Sequence, residues 1–291
     1  METQWPLVIF TLFVCVSSGL LGTESFMLFK GKGQKLMMPT LIASAVALVI
    51  GGLGSFTHLQ HWERIFNGFG HITSGITQEI IGCVLMGIIM VIWFVFWYRK
   101  KEIKKPLAIV TIVICAIMVI ATGHSYMMAA RPAWMFVLIF YIGNAVMLGA
   151  IGMWGIITFR KETKLENAGK KLAFWGSIIG LGTTVLYTIC LLFANVWDFG
   201  YYADPTALTT APTHVSSLFG EAVAGSGAIF FWAAIVTAIL VFACVYIAKK
   251  KKNDKVKPIV LPIVAIVCAL ATSVFMRIVI YIVGYTMYLM F

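Results

Sequence analysis

The chain has 291 residues, of which 61% are apolar and only 11% are charged, and its mean hydropathy is +0.96. Soluble domains carry roughly 25% charged residues, so this composition excludes a water-soluble globular protein and predicts a membrane protein. The net charge of +11 is divided among several short segments, so we expect membrane lipid, and no nucleic acid, as the partner of the basic residues.

Apolar segments long enough to cross a bilayer follow one another along the whole chain, since a crossing takes about 20 residues. They leave no room for a separate soluble domain, so residues 1–291 are predicted to form a single integral membrane domain. The first segment follows Glu2 with no Lys or Arg before it, which is unlike a cleaved signal peptide. The fold class is therefore all-α polytopic, with eight transmembrane helices predicted at about residues 6–29, 36–57, 76–98, 106–128, 134–159, 171–194, 219–248 and 259–282.

Basic residues fall on alternate connections between these helices. Nineteen of the 22 follow helices one, three, five and seven, and the other three are Arg64, Arg131 and Arg277. Because positively charged connections stay in the cytoplasm, these four connections are predicted to be cytoplasmic. The non-cytoplasmic side is predicted to hold both termini and the connections 58–75, 129–133 and 195–218.

The six cysteines all lie in apolar segments, and none has the CxxC spacing of a metal or redox site. We interpret them as small buried hydrophobic residues and expect no iron–sulfur cluster and no disulfide framework in this chain. Glycines at short spacing, such as Gly149, Gly152 and Gly155, predict close packing between helices.

Four ionisable residues in the predicted helices gather at one depth. With a rise of about 1.5 Å per residue, His58 lies about 33 Å and Glu79 about 28 Å from the cytoplasmic ends of their helices. His124 and Arg277 each lie about 27 Å from theirs. The hydrocarbon core of a bilayer is about 30 Å thick, so all four are predicted near the outer boundary of the membrane.

Together with Arg64 and Tyr126, these residues predict a polar pocket at the outer face that holds a small amphipathic molecule and exchanges protons with the outside. Histidine and carboxylate side chains are suited to proton transfer. The alternative, which stays open for each residue alone, is that such side chains only extend to lipid headgroups or cap helices. Asn144, close to mid-membrane, is interpreted as an interhelical hydrogen bond, and Glu24 is expected to reach the interface near Lys30.

A haem would need two histidines facing each other across helices. His58 and His124 are the pair within the helices, and we expect no haem.

The connection 195–218 is long and has no Lys or Arg. Its aromatic, proline and threonine residues fit either a docking surface for a partner or a solvated loop.

The chain starts with Gln4–Phe13 (QWPLVIFTLF), and this start resembles the Trp-Pro-Leu opening of the membrane anchor subunit of dimethyl sulfoxide reductases. The most specific part runs from Thr57 to Ile80, where THL, RIFN and SGITQEI follow the order of the family's His-Leu, Arg-Ala-Phe-Asn and Leu-Ser-Asn-Glu-Ile elements. Pro132–Trp134 and Arg277–Tyr281 carry weaker similarity.

The sequence departs from the family pattern at two places. Gln60–Trp62 stands where the family has Gly-Ser-Pro after His-Leu. Ser273 stands where the family has an acidic residue about one turn before Arg277. Arg277 is therefore expected to have another partner.

The resemblance implies a subunit of a molybdoenzyme complex that works in anaerobic respiration, in the cytoplasmic membrane of a prokaryote. Members of the family oxidise menaquinol, a diffusible substrate, and pass its electrons to an iron–sulfur subunit that supplies a molybdopterin subunit. Both partners are expected to dock at the outer face and to carry the clusters and the molybdopterin. The chain by itself is not expected to catalyse the terminal reduction.

The resemblance also implies residue roles. His58 and Glu79 are the expected catalytic residues, with His58 bound to a quinol hydroxyl and Glu79 accepting or relaying a proton outward. Arg64, Tyr126 and Arg277 complete the expected quinol pocket.

Two other functions stay open from the sequence. A secondary transporter or channel usually carries polar residues near the midplane, where this sequence has essentially Asn144, Thr183 and Thr184. A purely structural anchor would keep the same topology and make the outer polar residues incidental.

Overall fold

The computed structural model describes residues 3–58, 67, 71–127, 131–198, 213–250 and 259–284. In these ranges eight helices are long and apolar enough to cross a membrane, which confirms the all-α polytopic fold. The side of the membrane on which the two termini lie stays a prediction. The helices and strands are α1 (Trp5–Phe29), α2 (Met37–His58), α3 (Gly75–Tyr98), α4 (Lys105–Ser125), α5 (Val137–Phe159), α6 (Glu166–Cys190), β1 (Asn195–Asp198), β2 (Thr213–Ser217), α7 (Leu218–Val223), α8 (Ala228–Lys250) and α9 (Val260–Ile282).

Three of the basic connections begin with the same tight helix ending. At the end of α3, Lys100 adopts a left-handed φ of 53°, and its N–H and that of Lys101 donate at 2.9 Å to carbonyls of the last turn. This Schellman arrangement satisfies carbonyls that a helix end leaves free. The ends of α1 and α5 repeat it, with Gly31 and Lys161 in the left-handed position. Short basic turns therefore lead directly from one crossing to the next.

The seventh crossing begins later than predicted. The sequence predicts a helix over 219–248, but the structure has the short helix α7, a break at 224–227 and then α8. In the break the Glu221 carboxylate accepts hydrogen bonds from the backbone N–H and the hydroxyl of Ser226, at 3.4 and 3.1 Å. Gly225 and Gly227 flank this serine, and glycine is a poor helix former, so the helix is interrupted before the crossing starts.

The predicted loop 195–218 forms strands at its two ends. β1 and β2 pair antiparallel, with Asn195 opposite Ser217. Residues 199–212 lie outside the described residues, so the choice between a docking surface and a solvated loop stays a prediction.

Helices α1 and α5 form the centre of the bundle. α1 packs against α2, α4 and α5, while α5 also packs against α6 and α9. The two central helices approach most closely at Gly19 and Gly149, because a Cβ added to Gly19 would meet the Ala145 carbonyl oxygen and lie 2.9 Å from the Gly149 nitrogen. Such small residues let helix backbones touch, which confirms the packing role predicted for Gly149.

Candidate functional site

The beginning of α3 and the end of α4 meet at the end of the bundle far from the basic connections. A Cβ added to Gly75 would lie 2.6 Å from the Ser125 Cα, so glycine is required for the two helix ends to approach this closely. The approach brings the Ser125 hydroxyl to Glu79, and it donates a hydrogen bond to Oε1 at 2.6 Å. Beside this pair, Gln78 Oε1 lies 3.2 Å from His124 Nδ1. Two polar contacts therefore join the beginning of α3 to the end of α4.

The Glu79 carboxylate has remaining capacity to bind a donor. Its side chain is partly buried, and a carboxylate offers about four acceptor positions. Within the described ranges the Ser125 hydroxyl on Oε1 is its hydrogen-bond partner. The second oxygen can therefore accept a hydrogen bond from a further group at this helix junction.

The side chains of two predicted site residues lie outside the described part of the chain. α2 ends at His58, but the side chain of His58 is outside the described part of the chain, and so is Arg64. His124, the fourth residue of the predicted outer set, is exposed and bound to Gln78. The expected meeting of His58 and Glu79 stays a prediction.

Tyr126, directly after α4, turns into the bundle and belongs to an aromatic cluster. It is buried, and its hydroxyl lies 3.3 Å from that of Tyr281. Its ring packs edge-on against the rings of Trp134 and Tyr141, with centroids 5.4 and 5.9 Å away. The cluster joins the ends of α4, α5 and α9, and it lies next to the α3–α4 contact because Ser125 and Tyr126 are consecutive.

Arg277 lies one turn deeper than Tyr281, in the interior between α1, α5 and α9. It is 1% exposed, and its guanidinium group also lies against the faces of the Phe140 and Tyr141 rings, 5.5 and 5.0 Å from their centroids. All five of its N–H donors are used. They bind the Thr11 hydroxyl (2.8 Å) and carbonyl (3.0 Å), the Asn144 Oδ1 (3.1 Å), the Ser273 carbonyl (3.0 Å) and the Cys15 sulfur (3.3 Å).

The partners that Arg277 needs in place of an acidic residue are thus neutral groups on three helices. The interhelical hydrogen bond predicted for Asn144 is confirmed, because its amide donates to the Ser273 hydroxyl while its carbonyl accepts from Arg277. Sequence reasoning missed Thr11 and Cys15, since a hydroxyl and a thiol in an apolar helix look like ordinary packing residues. Their one signal is a spacing of four residues, which places both on the same face of α1.

The prediction that Glu24 reaches the interface near Lys30 is wrong. The side chain is fully buried, and neither carboxylate oxygen has a hydrogen-bond partner among the described residues. The connection after α1 folds back over the Glu24 side chain, with Gly33 at φ 95°. A Cβ on Gly33 would lie 2.9 Å from Glu24 Oε1.

Within the described ranges, no three His, Cys, Asp or Glu side chains are grouped as metal ligands would be.

A family model of known proteins matches most of the chain. The family model described as DMSO reductase anchor subunit (DmsC) covers residues 1–283 of the chain, and no curated protein matches it. The matched range contains every described helix and strand, and it confirms the resemblance drawn from the start of the chain and from residues 57–80. An anchor subunit of this kind associates with catalytic and electron-transfer subunits. The chain therefore belongs to the DMSO reductase anchor subunit (DmsC) family.

Proposed function

We propose that this anchor subunit binds and oxidises menaquinol where α3 begins and α4 ends, and passes the electrons to an iron–sulfur subunit on the same face. The observation that carries the proposal is the 2.6 Å hydrogen bond from Ser125 to Glu79. It fixes a carboxylate at the end of the bundle opposite the basic connections. The other carboxylate oxygen is then available to a quinol hydroxyl, which is the geometry that a general base requires.

Oxidation of one menaquinol to menaquinone breaks two O–H bonds and releases two protons and two electrons. Glu79 accepts the proton of one hydroxyl and passes it outward, and His58, at the end of α2, binds the other hydroxyl and takes the second proton. The two electrons leave to the partner subunits, which carry the iron–sulfur clusters and the molybdopterin.

The remaining pocket candidates take supporting roles in this proposal. Tyr126 is buried and forms the inner wall of the pocket rather than a contact with water. Arg277 has no donor left for a quinol, since all five are bound inside the bundle, and it holds α1, α5 and α9 in place behind that wall. Arg64 is proposed to position the quinol headgroup or the partner subunit.

The state of the mid-membrane polar groups favours this proposal over a transporter. A transporter needs polar groups available at the midplane, but Asn144 is bound to Ser273 and Arg277. The hydroxyls of Thr183 and Thr184 donate to carbonyls of their own helix. Among the described residues, the buried hydroxyls of Ser17, Ser18 and Ser44 have no hydrogen-bond partner, but Glu79, between α3 and α4, is ionisable and has capacity for a ligand.

The test is quinol-driven reduction by the assembled complex, compared with reduction driven by a dye that donates directly to the catalytic subunit. We expect Glu79→Gln to lower the quinol-driven rate about 100-fold or more, as for loss of a general base, and Ser125→Ala to lower it less. Neither variant should change the dye-driven rate. Glu102→Gln, at the opposite end of α3, is the matched control and should change neither rate. Quinol-driven activity that survives both substitutions in an assembled complex would favour a purely structural anchor.

A further inference from the structure

A groove of about 580 Å³ opens between α4 and α6, with α1 and α5 as its floor. The floor contains small residues, among them Gly22, Ala145 and Ala150, which leave the space that larger side chains would fill. The walls include Ile120 and Trp175, which are 47% and 54% exposed. Because α4 and α6 are membrane crossings, these walls face lipid, and the groove is open to the hydrocarbon of the bilayer.

The groove is open towards the basic side of the membrane. Along α1 it runs from Ser18 to Phe26, nine residues that span about 12 Å, and Phe26 lies four residues before Lys30. On α5 it reaches Ile142, past the middle of that helix. An apolar chain that enters from the leaflet on the basic side can therefore fill it.

Three lysines lie below the groove, each on a helix face that forms it. The Lys30 Nζ is 5.7 Å from the ring centroid of Phe26, a lining residue. Lys105 precedes the lining residue Ile112 by seven residues, or two turns, and Lys171 precedes Trp175 by four, so each shares a face with the residue above it.

The three ammonium groups are also free to bind an anion. Lys30 and Lys105 approach the same ring, that of Phe29, at 5.4 and 5.9 Å. Within the described ranges none of the three lysines forms an ion pair, and the nearby Glu166 is already paired with Lys170 at 2.7 Å. Basic pockets between membrane helices bind the headgroups of anionic lipids.

We propose that this groove is a specific binding site for one anionic phospholipid of the leaflet on the basic side. An acyl chain fills the groove, and the phosphate is bound by Lys30, Lys105 and Lys171. A neutral quinone headgroup would leave the three ammonium groups without a partner, so the lysines favour a phospholipid over a second quinol. The site is separate from the α3–α4 junction and does not depend on quinol chemistry.

The experiment measures which lipid the complex retains. The complete complex is placed in nanodiscs of equal parts phosphatidylglycerol and phosphatidylcholine, extracted in mild detergent and weighed by native mass spectrometry. We expect one retained phosphatidylglycerol per chain. Replacing Lys30, Lys105 and Lys171 together by Gln should weaken retention on the order of 100-fold, since each lysine near the surface contributes about a fivefold factor.

Two matched controls separate this site from general surface charge and from helix destabilisation. The triple change Lys32→Gln, Lys101→Gln and Lys250→Gln removes the same charge from the same side and should leave retention unchanged. Gly22→Leu places a side chain in the groove and should abolish retention, whereas Gly52→Leu, at a position with nothing within 4 Å of an added Cβ, should not.

The proposal is overturned if the wild-type complex retains both lipids equally, if both lysine triples lose the lipid alike, or if a quinone is retained in place of the phospholipid. Failure of Gly22→Leu to assemble does not remove the test, because the lysine triple changes only exposed side chains. Normal quinol turnover with no retained phospholipid would refute this site alone and leave the proposed function intact.

Discussion

Replacing Arg277 by Met tests whether hydrogen bonds to a buried cation hold the centre of the bundle together. The Thr11 and Ser273 carbonyls keep their own helical N–H partners after the change, so the acceptor left without a donor is Asn144 Oδ1. An unpaired buried acceptor costs about 1–3 kcal/mol, and loss of the contacts with the Tyr141 and Phe140 rings costs about 0.5–2 kcal/mol. Removal of a buried charge offsets part of this, so we expect a net loss of about 2 kcal/mol in the free energy of unfolding.

Arg277→Lys should be more destabilising than Arg277→Met. Lysine keeps the buried charge but has three donors instead of five, and an incompletely bound buried charge costs several kcal/mol. The assay is unfolding of the detergent-purified complex followed by tryptophan fluorescence. Combining Arg277→Met with Asn144→Leu should recover part of the lost free energy of unfolding, because the second change removes the Asn144 oxygen that Arg277→Met leaves without a donor. Unfolding of Arg277→Met at the wild-type midpoint, or a milder effect of Lys than of Met, would refute this reasoning.

Two glycine pairs give further predictions. Gly33→Ala and Gly31→Ala both place a side chain at positive φ, so each should lower the free energy of unfolding by about 1–2 kcal/mol. The loss should be larger for Gly33→Ala in the same unfolding assay, because its Cβ would lie 2.9 Å from the Glu24 carboxylate. Equal losses would contradict the burial of that carboxyl. Gly75→Ala should push α3 away from α4 and lower quinol-driven turnover more than dye-driven turnover. Gly87→Ala, on the same helix, has nothing within 4 Å of its Cβ and should change neither rate. Unchanged quinol-driven turnover in Gly75→Ala would show that the close approach of α3 and α4 is not needed.

The crossings could be predicted from the sequence because hydropathy and basic residues act locally along the chain. The same local pattern failed at α7, where the sequence Gly225-Ser226-Gly227 interrupts an otherwise apolar segment. The two glycines indicate a break, but the mean hydropathy of the segment stays high because of the apolar residues on either side. Helix ends are set by a few residues, whereas hydropathy averages over many.

The partners of Arg277 could not be predicted, because sequence distance gives depth along a helix but not rotation about its axis. Thr11, Asn144 and Ser273 come together only because three helices turn these faces toward one another. The burial of Glu24 depends likewise on how the turn at Gly33 folds back over α1. The Glu79–Ser125 hydrogen bond follows from the close approach of two helix ends, which the sequence indicated only through their common depth.

Photoaffinity labelling of the assembled complex with an azido analogue of menaquinol tests the central claim most directly, because it locates the quinol on the chain. The account predicts label in the peptides that contain Glu79 and Ser125, at the junction of α3 and α4. The label should decrease with excess menaquinol and in Glu79→Gln. Label confined to the opposite, lysine-bearing end near Glu24, with none at the α3–α4 junction, would contradict the account.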